Sequence, residues 1–148
     1  MKHADIHWSM FEGYIDQLYE LDTRSIDVDI IKPEAKIKYK HVQIFVMYII
    51  AKELGNSIQS TKNIDFGDGT TIDPKTFIKI SQAFPSAVRE VYGANNPGYL
   101  NKLLDIHIPL LNVSIDKANV PSIYDSLPDE EKSKLHALAF VTKQKIGL

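Results

Sequence analysis

The sequence predicts a mainly α protein, a single-domain orthogonal helical bundle of about six helices around a buried central helix at residues 33–54. A small β-hairpin or structured loop is expected near residues 63–73. Three observations carry this expectation. Residues 42–51 read Val-Gln-Ile-Phe-Val-Met-Tyr-Ile-Ile-Ala, so a helix there is apolar on every side except at Gln43 and must be surrounded by other elements. Proline and glycine sit where helices open and close, as in Lys32-Pro33-Glu34 and Leu54-Gly55. No stretch of the 148 residues has the composition of a linker, so residues 1–148 read as one domain.

Taken in order, the first helix is expected over residues 4–21. Ile6, Trp8, Phe11, Tyr14, Ile15, Leu18 and Tyr19 recur there at helical spacing with acids between them. The second helix opens at Pro33, where the missing amide hydrogen costs nothing, and closes at Gly55, which can take the left-handed conformation. Its rival is a strand over residues 36–50, suggested by β-branched and aromatic residues, and the end signals favour the helix. The Gly67-Asp68-Gly69 string between short β-prone pieces gives the hairpin.

Asp73-Pro74 caps a third helix, bearing Phe77, Ile78, Ile80 and Phe84, that is expected to stop at Pro85. A short fourth follows over residues 86–92, closing at Gly93. A fifth opens at Asn96-Pro97 with Tyr99, Leu100, Leu103 and Leu104, and Pro109 ends it. Its apolar tail, residues 106–115, is expected to be buried. After a short turn of helix at Pro121, the acids Asp129, Glu130 and Glu131 open a last helix running to about Lys145.

The composition narrows function. There is no Cys, which removes thiol nucleophiles, thiolate zinc sites and disulfides. The net charge of -2 gives no global attraction to nucleic acid, and the apolar run falls short of the roughly 20 residues a bilayer requires. No membrane association is expected. The opening Met-Lys-His-Ala-Asp-Ile-His-Trp lacks the features of a secretory signal, so a cytoplasmic location is expected. Charge is nonetheless segregated, because the first helix is acidic and the second begins with lysines.

Those lysines form the first candidate site. Lys32, Lys36 and Lys40 follow a four-residue spacing, with Lys38 and His41 displaced around the helix, and positive charge at a helix N-terminus opposes the macrodipole. Packing against the acidic first helix would answer it, and so would a phosphate or an acidic partner. The second candidate is residues 88–104, Val-Arg-Glu-Val-Tyr-Gly-Ala-Asn-Asn-Pro-Gly-Tyr-Leu-Asn-Lys-Leu-Leu, which resembles a helix-turn-helix. The resemblance implies DNA reading by Asn96, Tyr99, Asn101 and Lys102; the rival reading is an ordinary helix pair with a Gly-Asn-Asn-Pro turn.

Other clusters point to structure. Asp65, Asp68 and Asp73 miss the calcium-loop spacing and suit a hairpin turn with solvated acids. His3, Asp5 and His7 have no third histidine at useful spacing, so no metal site is expected. His107 between Ile106 and Ile108 reads as a hydrogen-bonded core histidine. No nucleophile elbow, phosphate loop or zinc-protease helix is present, so no catalytic residue or cofactor is expected, although a site converging from distant residues is left open.

The sequence therefore favours a small non-enzymatic protein that binds another macromolecule as an adaptor, assembly factor, inhibitor or regulator. A protein partner is preferred to nucleic acid. The Ile-, Lys- and Asn-rich, Cys-free composition resembles that of compact proteins of AT-rich bacteria and bacteriophages.

Overall fold

The computed structural model describes residues 2–23, 31–55, 63–93, 95–96, 98–108 and 118–148. Side chains are described from Trp8 onward. The expected apolar tail lies outside the described residues from residue 109 on, as does Pro97.

The chain is mainly helical. In order come α1 (Lys2–Thr23), α2 (Pro33–Leu54), β1 (Ile64–Asp65), β2 (Thr71–Ile72), α3 (Pro74–Tyr92), a 3-10 helix (Tyr99–Asp105), α4 (Val120–Ser126) and α5 (Asp129–Lys145). The central α2 is a helix and not a strand. Gly55 closes it in the left-handed region at φ 59°, donating its N–H to the carbonyls of Ala51 and Lys52. Every residue from His41 through Ala51 is buried.

The neighbours of α2 are placed by specific contacts. Glu20 meets Lys36 while Glu12 and Asp16 meet Lys40, so α1 runs antiparallel to α2. The Tyr39 and Phe84 rings pack edge to face with centroids 5.1 Å apart, and Gln43 Nε2 donates to Ser81 Oγ at 2.8 Å, so α3 also runs antiparallel to α2. The shared core includes Ile15 and Tyr19 of α1, Phe45 and Met47 of α2, Ile80 and Phe84 of α3, and Leu135 and Leu138 of α5.

The hairpin pairs Ile64 with Ile72 and Asp65 with Thr71, antiparallel. Its turn needs glycine at two places, since Gly67 and Gly69 have φ of 89° and 91°. Asp73 then caps α3, its carboxylate accepting from the Thr76 amide and hydroxyl.

Two expectations are corrected. The third and fourth helices are one, because α3 continues through Pro85 to Tyr92. Phe77, Ile80, Ser81, Phe84, Ala87 and Val88 keep one buried stripe in phase across the proline. Burial on both sides holds the two halves together despite the lost amide hydrogen. The expected fifth helix is 3-10 from Tyr99 to Asp105. Three residues per turn align Leu100 and Leu103, both buried, on one side, and Ile106 is buried at the C-terminal cap, whereas Leu104 is only half-buried.

Because α2 is enclosed on all sides, truncating it should leave a cavity that nothing can fill. Phe45→Ala, at a position with 0% exposure, is expected to destabilise the fold by about 3–5 kcal/mol in denaturant unfolding.

Candidate functional site

The N-terminal end of α2 does not present its cations to one surface. Lys36 Nζ lies 2.5 Å from Glu20 Oε1, and Lys40 Nζ lies 3.7 Å from Asp16 and 3.8 Å from Glu12. These two lysines therefore face α1. Lys38 sits elsewhere on the helix, 2% exposed, with Nζ donating to the Ile106 carbonyl at 2.5 Å. Burial lowers its pKa, partly offset by the Glu131 charge. His41 is buried, and desolvation, with Lys40 and Lys38 nearby, pulls its pKa down to about 4. Lys32 is exposed, its backbone N–H donating to Asn101 Oδ1 at 2.9 Å. The macrodipole conflict of the lysines is thus met by α1 carboxylates together with Glu34 in the first turn of α2.

The segment 88–104 places its four candidates differently from one another. Tyr99 is buried, and its hydroxyl donates to Asp22 Oδ2 at 3.5 Å beside the Arg89–Asp22 ion pair at 2.5 Å. Asn101 is half-buried and holds Lys32 as described. Asn96 and Lys102 are exposed. Asn96 Oδ1 accepts from the Gly98 amide, the bond of an Asx turn.

The acids of the hairpin are structural partners and not merely solvated. Asp65 Oδ1 accepts from the Gly67 amide at 2.8 Å, and Asp68 Oδ1 accepts from the Thr70 amide at 3.0 Å. Among the described residues, no group of three or more acidic, His or Cys side chains could hold a metal ion. The side chains of His3, Asp5 and His7 lie outside those described.

His107 is corrected from a core histidine to an exposed one. Ile106 and Ile108 are buried on either side, and the backbone at Ile106 is extended at φ -88° and ψ 109°, so the intervening side chain points outward. Only its amide is used inwardly, donating to Glu131 Oε1 at 2.8 Å. That bond, followed by Lys134, holds the Glu131 carboxyl below its ordinary pKa against a smaller opposing effect of burial.

Groups that the sequence left scattered converge at the other end of α2. The Tyr48 hydroxyl donates to Asp68 Oδ2 at 2.5 Å, and Lys52 Nζ stands 5.4 Å from the Tyr48 ring centroid. Burial raises the Tyr48 hydroxyl pKa, and the hydrogen bond to Asp68 raises it further. Desolvation would raise the Asp68 carboxyl, yet Tyr48, Thr70 and Lys52 together hold it below the usual carboxylate range. A shallow cleft of about 300 Å³ opens here between Ala51, Lys52, Gly55 and the hairpin residues 68–71.

Beside it, Tyr124 Oη and His136 Nε2 share a hydrogen bond of 2.6 Å, while His136 Nδ1 is 4.0 Å from Glu53, which also binds Lys143 at 2.7 Å. Burial raises the Tyr124 pKa, and the Asp125 and Glu53 charges reinforce it, so its phenol keeps its proton at neutral pH. The cluster thus holds two phenol hydrogen bonds, Tyr48 to Asp68 and Tyr124 with His136, with the two rings 5.7 Å apart. Sequence reading missed it because Tyr48, Asp68, Tyr124 and His136 lie on four different elements. The only local signal was Gly-Asp-Gly, whose glycines shape the turn that delivers Asp68 to Tyr48.

Two outcomes follow. Since His41 has a folded pKa near 4 against an ordinary 6.5, the unfolded chain takes up a proton that the folded chain refuses between those values. Stability is therefore complete above about pH 6.5 and falls as the pH drops toward 4, by up to about 3 kcal/mol from this group. Urea unfolding at stepped pH should show a shallower acid loss for His41→Asn than for the wild type. Tyr48→Phe is expected to cost about 1–3 kcal/mol and to speed exchange of the Thr70 amide, as the Asp68 turn loses its anchor to α2.

Neither protein-family models, nor curated proteins, nor solved structures give a match to this chain, so the geometry of its own residues carries the functional reading.

Proposed function

We propose that this protein acts by binding a partner protein, as an adaptor, assembly factor, inhibitor or regulator. The observation that carries the reading is on the outer face of α5. Ser133, Ala137, Phe140 and Gln144 follow one another at helical spacing, all exposed and none charged, with the Phe140 ring 62% open to solvent at the centre. Aromatic side chains in such a setting are the commonest anchors of protein interfaces, because they bury a large area with few rotors to immobilise. A suitable partner offers an apolar pocket for the phenyl ring and a basic rim at the end where Asp129 and Glu130 are exposed.

A DNA-binding use of residues 88–104 receives less support from the geometry. Tyr99 is in the core and Asn101 is engaged with the backbone of Lys32, which leaves Asn96 and Lys102 to meet bases. Duplex DNA binding by the lysines would weaken steeply with salt and vanish in the Lys36→Glu, Lys40→Glu double variant.

The binding reading is tested by replacing Phe140 with a photo-crosslinking amino acid in cells that make the protein. A discrete protein adduct is expected at Phe140 and absent from the same probe at exposed Lys75 of α3. Identical adduct patterns at both positions would reject it.

A further inference from the structure

A different surface, independent of Phe140, lies where α1 crosses α2 and α3. The four carboxylates Glu12, Asp16, Glu20 and Asp22 of α1 meet Lys36 and Lys40 of α2 and Arg89 of α3. Under the charges the contact is aromatic. Phe11 stacks edge-on against Phe77 at 4.5 Å, and Tyr19 against Tyr39 at 4.8 Å. Trp8, Ile15 and Tyr19 are buried along the same helix. This is the geometry of an amphipathic helix laid in a groove, with apolar anchors one and two turns apart and a charged margin.

The fit is electrostatically matched but incomplete in its hydrogen bonds. Trp8 Nε1, Tyr39 Oη and Gln43 Oε1 are buried with no partner among the described residues. Trp8 is on α1, and Tyr39 and Gln43 are on the stretch of α2 that contacts α3. Tyr39 is 1% exposed, its ring set edge to face between Tyr19 of α1 and Phe84 of α3, so its hydroxyl is buried there without an acceptor among the described residues. Meanwhile the Lys36–Glu20 pair is solvent-exposed and the Lys40 and Arg89 pairs are partly so, and such pairs weaken with salt.

We propose that α1 is a displaceable acidic cover on the groove between α2 and α3, and that the groove's other occupant is an acidic amphipathic helix of a partner protein. The partner helix carries aromatic or aliphatic anchors at the spacing of Trp8, Ile15 and Tyr19, carboxylates opposite Lys36, Lys40 and Arg89, and a hydrogen-bond acceptor over the Tyr39 hydroxyl. A protein helix fits better than a nucleic acid, because what already seats against these cations is a helix bearing carboxylates, with aromatic anchors set edge to face against Tyr39 and Phe77. Displacement would exchange a cover with orphaned polar groups for one that satisfies them, while the mutual charge pattern is kept.

The test uses the full chain and, as probe, a fluorescent peptide with the sequence of residues 2–23. Glu12→Lys, Asp16→Lys, Glu20→Lys in the full chain loosens the internal cover. This triple variant is expected to bind the peptide about tenfold or more tightly than the wild type, losing about tenfold between roughly 0.05 and 0.5 M salt. Adding Lys36→Glu and Lys40→Glu should abolish that binding. In the wild type, α1 amides should exchange faster than those of α3 and accelerate with salt while α3 does not, a readout that holds even if the triple variant fails to fold.

Equal protection of α1 and α3 at all salts would overturn the proposal. So would a triple variant that folds and ignores the peptide, or one whose peptide is displaced by a single-stranded oligonucleotide but not by an unlabelled acidic helix. A stable dimer of the triple variant in ultracentrifugation would likewise overturn it in favour of exchange of α1 between two copies.

Discussion

The constraint on which the rest of the molecule depends is that α2 has no solvent face of its own from His41 to Ala51. A helix enclosed on all sides leaves its neighbours no freedom, since each must supply the surface for one sector of it. Ser81 of α3 meets Gln43, Phe66 of the hairpin and Tyr124 of α4 meet the Tyr48 ring at 5.1 and 5.7 Å, and just before this stretch Tyr19 of α1 and Phe84 of α3 close over Tyr39. Enclosure also makes every polar residue of α2 a decision about another element. Gln43 fixes the position of Ser81, Lys38 holds the Ile106 carbonyl, and Tyr48 holds Asp68. Each is a buried donor whose loss of water has to be answered, so each acts as a locator for an element distant in the chain.

Much of this was legible because it is local. Pro33 and Gly55 mark the two ends of α2 by backbone chemistry alone, and both ends fall where that chemistry predicts. Gly67, Asp68 and Gly69 announce a tight turn, and the acids at the start of α5 announce a helix N-terminus. Pro85 shows where local rules fail. Its cost to a helix is real, but the register of buried residues on both sides of it is a tertiary quantity that a residue-by-residue reading cannot weigh. The 3-10 helix is a similar case: the period of three in Leu100, Leu103 and Ile106 is visible only once Ile106 is known to be buried.

The charges divide in the same way. Opposite signs on the first two helices could be read from sequence, and the structure places Glu20 against Lys36. Helical spacing also sets Lys38 apart from the Lys32, Lys36 and Lys40 stripe, but its burial and its partner could not be read, because they depend on Ile106 coming back to Lys38 over a separation of 68 residues. Convergence over long separations also explains why the Tyr48, Asp68, Tyr124 and His136 cluster was invisible. Its members have ordinary spacing within their own elements and acquire chemistry only from the packing of four elements around the C-terminal end of α2.

The two ends of α2 consequently differ in kind. At the C-terminal end Tyr48 and Tyr124, kept protonated by burial, each share a hydrogen bond with a group of another element. Toward the N-terminal end charge is matched across α1, yet Tyr39 Oη and Gln43 Oε1 are buried with no partner among the described residues. An unpaired buried polar atom costs the arrangement that buries it, and so lowers the free energy needed to exchange that arrangement for another. On the proposed reading a partner helix would enter at the end of α2 that carries the lysines, where α1 is held in part by pairs that solvent can reach.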